Sequence, residues 1–339
     1  MTANATLDNM PTLTDPLPEQ WPIDQYEEFQ IRTHEPRPCD EELRALGYEV
    51  YWQPLKDEEG GLLNSFYARK AKPKKPAKIF VARLPYGNAE APSVGDWLIN
   101  TTLWMQTEPR VADFRFAAID DTPTSMVRNK MAKIAMEWGA DLLLFVDSDM
   151  QPDYLIGQDG HANAKPFLPT AFNHWWKHAG PCITSAPYCC GGKHEDPLVF
   201  RWSTPSSPPL LSDVRVTRFS REETDTLTGI TRANALPTGL MLIDMRVFKF
   251  LPTPWFYYEY TDDTYSEKAS TEDITFSRDA CLHGVPLYCT WDCWAGHWKR
   301  KLVGKPSLPN ALALPAHFRN ACYRNLHRED RANPLPSQV

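Results

Sequence analysis

Asp147-Ser148-Asp149 ends an unbroken apolar run, Leu142-Leu143-Leu144-Phe145-Val146, and that placement implies a chemistry. Two carboxylates one residue apart are costly beside a core unless a counter-charge neutralises them. A hard divalent cation such as Mg²⁺ or Mn²⁺ supplies that charge, and carboxylate oxygens suit it. The same residues can also form a polar turn in which Asp147 caps the next segment. The buried strand before them, and the helix before that, favour a metal–phosphate site. Glu272-Asp273 is a second acidic pair, preceded by Thr271. Thr271 can cap a following helix, where acids in the first turn are favourable. Arg128, near a predicted helix start, opposes the helix dipole, so an anionic partner is expected for it: a ligand, or a carboxylate in a surface salt bridge.

These side chains need a frame. Met126, Met131, Ile134, Ala135 and Trp138 recur near the helical spacing, and Gly139 sits where such a helix stops. Residues 142–146 then read as a strand buried on both faces of a parallel sheet, delivering the aspartates at its carboxyl end, the edge where open α/β sheets bind ligands. Ile79–Arg83 reads as the first core strand, Ser93–Met105 as a helix, and Phe114–Ile119 as a strand ending in Asp120-Asp121. Further along come a helix at Pro169–His178, strands at Cys182–Tyr188 and Val285–Cys289, and between them the segment Leu236–Ile243, in which an apolar strand follows Gly239. Residues 199–231 read as a β excursion. Gly239, among small residues before an apolar strand, lets backbone approach a ligand closely, or marks a bend. The cluster Trp255, Phe256, Tyr257, Tyr258 and Tyr260 suits either carbohydrate stacking or the packing of a flap.

With 339 residues, 42% of them hydrophobic and 12% aromatic, the chain can build a substantial core. Its net charge of −7 argues mildly against a general nucleic-acid binder. No apolar run is long enough for a membrane helix, and residues 1–20 lack the charged start and apolar centre of a signal peptide. Eight cysteines without a C-x-x-C pair read as free, reduced thiols in a cytoplasmic setting; Cys289, Cys293 and His297 lack the second pair a zinc site needs. Residues 1–76 read as an arm, a small α/β appendage and a solvated basic linker. Residues 77–300 read as the main domain, and 301–339 as a tail with a helix at Pro315–Leu326.

The ordered motifs RN-x5-A-x2-WGAD-LLLFVDSDM-x-P, Leu236–Ile243, Thr271–Phe276 and Gly296-His297 resemble the GT-A fold glycosyltransferases, particularly those similar to family 2. The resemblance covers about residues 77 to 300. It implies an α/β, Rossmann-like core with a mixed, mostly parallel sheet. It implies a nucleoside-diphosphate sugar donor and an acceptor hydroxyl on a glycan, a protein or a modified DNA base, as in some bacteriophage enzymes. Asp147, Asp149 and His297 would hold Mn²⁺ or Mg²⁺ on the diphosphate. Arg83, Tyr86, Asp120, Arg128, Asn129 and Gly239 would border the donor, with Asn129 also supporting the loop. Asp273 would be the base that deprotonates the acceptor, with Glu272 as runner-up. Acid pairs at this place also occur in retaining enzymes of the fold, so both inversion and retention are open. A binding protein with an idle metal site is the non-enzymatic alternative. A nucleotidyltransferase would need a glycine-rich loop after the first strand, and residues 82–87 do not supply one.

Overall fold

In the computed structural model, the described residues are 12–14, 28–33, 40–56, 62–85, 90–120, 123–191, 195–202, 216–261, 268–299 and 302–303. The main sheet begins with β1 (Ala77–Leu84), followed by α1 (Pro92–Thr107) and β2 (Val111–Ala118). Next come α2 (Thr124–Trp138) and β3 (Leu142–Asp147), then α3 (Phe167–Lys177) and β4 (Ile183–Ser185). β5 (Ile230–Ala233), β6 (Leu240–Asp244), α4 (Glu272–Leu282) and β7 (Leu287–Thr290) complete it. The strand order is β5-β7-β4-β6-β3-β1-β2. β1 runs parallel to β2 and β3, and β4 runs parallel to β7. β6 is antiparallel to both β3 and β4, and β5 is antiparallel to β7. Five of the seven strands therefore point one way, a mixed α/β arrangement consistent with a Rossmann-like core.

Why the central strands read as unbroken apolar runs is clear from the two faces. Phe80, Leu143, Phe145 and Met241 join one core cluster, with Met131 of α2 and Phe276 of α4. Their alternating neighbours Ile79, Leu144, Val146 and Leu242 join the other, with Trp97 of α1 and Phe172 of α3. Helices cover both sides, so no strand position can be polar without cost. α2 ends at Gly139, whose left-handed conformation (φ 76°, ψ 40°) lets its N–H close the last turn on Ala135 and Met136.

Three expectations change. β4 spans only 183–185, not 182–188: the chain then leaves the sheet at Pro187, which has no N–H to offer. Within 199–231 a pair of short strands, Phe200–Trp202 and Val216–Arg218, is followed by a helix at Arg221–Thr226. That helix starts in a reciprocal cap: Glu223 N–H donates to Ser220 Oγ at 3.2 Å, and Ser220 N–H to Glu223 Oε2 at 2.7 Å. The stretch 70–78 is solvated only in part: Lys72, Pro73, Lys75 and Pro76 are exposed, while two of its lysines are anchored. Lys74 Nζ donates to the carbonyls of Trp176 and His178 at the end of α3. Lys78 Nζ donates to Trp138 O at the end of α2 (2.8 Å) and lies over that ring. Each ammonium meets orphan carbonyls at the negative end of a helix dipole.

The appendage pairs 48–56 with 62–70 antiparallel, and 28–33 adds beyond. Glu49 ties it to the main sheet by accepting from Arg246 at 2.6 Å. No helix among the described residues is long and apolar enough to cross a membrane. Tyr86, Asp121, the 192–193 turn, Arg300, Lys301 and the expected 315–326 helix lie outside the described residues.

Candidate active site

A cavity of about 450 Å³ opens where β1 and β3 end, lined there by Leu84, Pro85 and Asp147 to Asp149. Asp147 closes β3, and its N–H donates to Gly239 O at 2.9 Å across the antiparallel junction with β6. Its carboxylate faces Arg128, one turn into α2. Arg128 Nη2 donates to both Asp147 oxygens (3.0 and 2.9 Å), Nη1 reaches Thr238 O at 3.4 Å, and Nε lies 3.6 Å from Glu272. The guanidinium side chain is 2% exposed. The anionic partner expected for Arg128 is thus supplied from inside the protein. Burial alone would lower the Arg128 pKa, but Asp147 and Glu272 raise it well above the usual value. For Asp147 burial is the larger effect, so its carboxyl is pushed up despite Arg128.

Asp149 turns to a different set of partners. Residues Gly296–Trp298 pair antiparallel with Met150–Gln151, which sets His297 beside the loop, and Trp298 N–H donates to Asp149 O at 2.7 Å. His297 Nε2 stands 3.2 Å from Asp149 Oδ2, and Lys299 Nζ stands 2.5 Å from the same oxygen. Burial would raise the Asp149 carboxyl, but His297 and Lys299 outweigh it and hold it at about 2. His297 Nδ1 lies 2.9 Å from Cys189 O. A carbonyl only accepts, so Nδ1 carries a proton and donates to it, which leaves Nε2 turned to Asp149. That polarity is the one a metal-binding imidazole has when a carbonyl fixes its far nitrogen.

Among the described residues no three His, Cys, Asp or Glu side chains converge as a closed metal cage. Asp149 and His297 nevertheless offer an oxygen and a nitrogen at the cavity wall. Mg²⁺ is commonly held by one or two carboxylates, with water and substrate phosphates completing its shell; here one carboxylate and one imidazole face the cavity, and Lys299 already donates to that carboxylate at 2.5 Å. Asp147, the other expected ligand, is turned toward Arg128.

Across the same cavity, Glu272 and Asp273 open α4. The hydroxyl of Thr271 does not cap that helix as expected; it donates to the Asp273 carboxylate instead. Asp273 Oδ1 also accepts from Ile274 N–H at 2.9 Å. Burial, with Glu272 alongside, raises the Asp273 carboxyl above its ordinary range. Glu272 is committed to Arg128 and shares a hydrogen bond with Tyr258.

The expected donor-binding residues divide. Arg128 lines the cavity. Arg83 pairs with Glu90 at 3.2 Å, and Asp120 is exposed; neither lines the cavity, while the neighbouring Leu84 and Ile119 do. Asn129 is a loop anchor: its amide donates to Ser125 O and Phe256 O and accepts from the N–H groups of Trp255 and Phe256. Those two aromatics are core residues, with Phe256 stacked on Phe276 at 4.3 Å. Gly239 is required by a protein group. A Cβ there would stand 2.6 Å from the Tyr188 hydroxyl and 2.9 Å from Met150 Sδ. Tyr188 itself lines the cavity, and its partner Gly239 is 51 residues away.

No family model matches the chain, and no curated protein matches it. Among solved structures, A197 from STIV is similar at 15% identity and a TM-score of 0.40, covering 71% of this chain and 99% of that one. At that distance the likeness bears on neither the chemistry nor the partner.

Proposed function

We propose that the chain is a metal-dependent glycosyltransferase of the GT-A kind, moving a sugar from a nucleoside-diphosphate sugar to an acceptor hydroxyl. One observation supports this reading: a single cavity is lined both by Asp149 and His297, the pair that would hold the cation, and by the carboxylates Glu272 and Asp273. Bound there, Mn²⁺ or Mg²⁺ would stabilise negative charge on the departing diphosphate. Arg128 and Lys299, which also line the cavity, offset part of the negative charge of its carboxylates. Asp273, raised by burial, would take the acceptor's proton as the acceptor oxygen bonds to the anomeric carbon. The bond from that carbon to the diphosphate breaks, and the nucleoside diphosphate leaves with the electron pair. Thr271 orients the carboxylate that receives the proton. Glu272 is the weaker choice of base because it already balances Arg128. A single displacement of this kind inverts the anomeric centre.

The test is a panel of nucleotide sugars scored by thermal shift and by donor hydrolysis, with Mn²⁺, with EDTA and in Asp149→Ala. Stabilisation and turnover by one donor, lost with EDTA and in the variant, is the expected outcome. A folded protein that responds to no nucleotide sugar would end this reading and leave a binding role of another kind.

A further inference from the structure

β2 (Val111–Ala118) is the outermost strand of the main sheet, and among the described residues no strand pairs with its outer edge. β1 takes only half of its backbone groups. Ile119 N–H donates to Arg83 O, and Arg83 lies opposite Ala118, so the odd-numbered residues from Asp113 onward turn their N–H and C=O groups to β1. Phe114, Phe116 and Ala118 turn theirs outward. The Phe114 N–H, with no strand beyond it, donates to the Asp113 carboxylate at 2.8 Å. Side chains alternate as well. Phe114 and Phe116 pack, half-buried, on the face that α1 covers, and Ala117 lies on the opposite face, which Asp113 and Arg115 share by strand alternation. Both charged residues are exposed. An open strand edge with apolar side chains is a template for another strand.

We infer that β2 joins a second copy of this chain, edge to edge and antiparallel, about a twofold axis through Phe114. A twofold interface must be self-complementary, and the residues of β2 decide the register. Antiparallel strands exchange hydrogen bonds only where outward groups meet outward groups, so even-numbered residues must face even-numbered ones. Phe114 opposite Phe116 sets Arg115 against Arg115. Phe114 opposite Ala112 sets Asp113 against Asp113. Phe114 opposite Ala118 leaves both charges without a counterpart. Phe114 opposite Phe114 instead sets Asp113 against Arg115 twice on one face, and the two Phe114 rings against each other on the other. Opposite charges and aromatic pairs stabilise facing strands, and like charges directly opposite destabilise them. The charges that disfavour the slipped pairings therefore specify this one. Each Phe114 N–H passes from the Asp113 carboxylate to the Phe114 carbonyl of the second copy, which frees Asp113 for Arg115. Ala112 has no counterpart on β1, a bulge that ends the regular ladder, so the contact is short and the dimer depends on concentration. β1, β2 and β3 run parallel, and the cavity opens where β1 and β3 end. The twofold therefore puts the two cavities at opposite edges of one continuous sheet.

The experiment is sedimentation velocity of the full chain over a dilution series, beside Arg115→Asp, Asp113→Arg and an equimolar mixture of the two. The wild-type protein should associate to a dimer. Each reversal alone turns both cross-strand pairs repulsive and should weaken dimerisation about tenfold or more. In the mixture, one copy carries two acids and the other two arginines, so every facing pair is again opposite in charge. Dimers should return there to the wild-type level. Both side chains are exposed, so the variants should keep the wild-type urea midpoint. A wild-type chain that stays monomeric at every concentration would overturn the inference. Reversals that dimerise like the wild type would overturn it too, assigning the association to another register, another surface or another segment of this chain. So would a mixture no better than its components. A second measurement needs no variant: amide hydrogen exchange over residues 111–118 should slow as wild-type concentration rises. Dimerisation that leaves that exchange unchanged would put the contact elsewhere and refute the proposal.

Discussion

Replacing Arg128 with Met removes a buried cation and leaves its carboxylates in place. The guanidinium is 2% exposed, bonds both Asp147 oxygens and stands 3.6 Å from Glu272. Met fills much of the stem's volume, so the change is chiefly electrostatic. Breaking a buried pair from one side costs about 3–5 kcal/mol, because the abandoned charge stays desolvated. Asp147 is already raised by burial with Arg128 present; without it the carboxyl rises further and takes up a proton as pH falls. The folded variant then binds more protons than its unfolded chain, so its stability declines as pH rises. Urea unfolding of both proteins at pH 5, 7 and 8.5 should therefore show a gap of about 3–5 kcal/mol at the two higher values, narrowing at pH 5. Adding Asp147→Asn should recover much of the loss, giving a coupling of about 2 kcal/mol or more between the two sites. A cost under about 1 kcal/mol at pH 8.5, or strictly additive single and double variants, would refute the account of Arg128 as the site's internal counter-ion.

Three further outcomes are expected. Thr271→Val removes the hydroxyl that holds the Asp273 carboxylate down, so the acid limb of the kcat profile should move to higher pH; an unmoved limb would mean that Asp273 is not the base. Gly239→Ala should cost about 1–3 kcal/mol through contact with Tyr188 and Met150, as read from urea unfolding; an unchanged midpoint would contradict the close approach at Gly239. Asp153, which accepts from Trp97 Nε1 (2.8 Å) and Phe167 N–H (2.7 Å), is lifted by burial from 3.8 to about 6. Between those values the folded chain binds the extra proton, so stability falls as pH rises from about 4 to 6, by up to about 3 kcal/mol at 1.36 kcal/mol per pH unit. Asp153→Asn should lose that slope whatever its absolute stability, as read from urea midpoints across the window; an identical slope would contradict the assignment.

Much of the frame and the acidic groups were legible in the sequence because the physics that places them is local. An apolar run between a helix and a D-x-D can satisfy its backbone and bury both faces only as an interior strand, and β3 is that strand. Gly139 stops α2 through its own φ, and Glu272-Asp273 begin α4 as acids at a positive helix end. The cap at Ser220-x-x-Glu223 is equally local, yet the reading of 199–231 as a β excursion passed over it and the helix it starts.

Partner choice was not legible, because it depends on which segments the sheet brings together. Arg128 spends its charge on Asp147, 19 residues away, and Asn129 spends its amide on a loop about 126 residues away. Tyr188 meets Gly239 only because β6 lies between β3 and β4 in the sheet. Lys74 and Lys78 look like a solvated charge run until the ends of α3 and α2 arrive beside them. The residue types and their local spacing determined which chemistries the chain can offer. The tertiary structure decided which groups neutralise one another and which face the cavity, since a desolvated charge or donor must be satisfied by whatever the fold puts within about 3 Å of it.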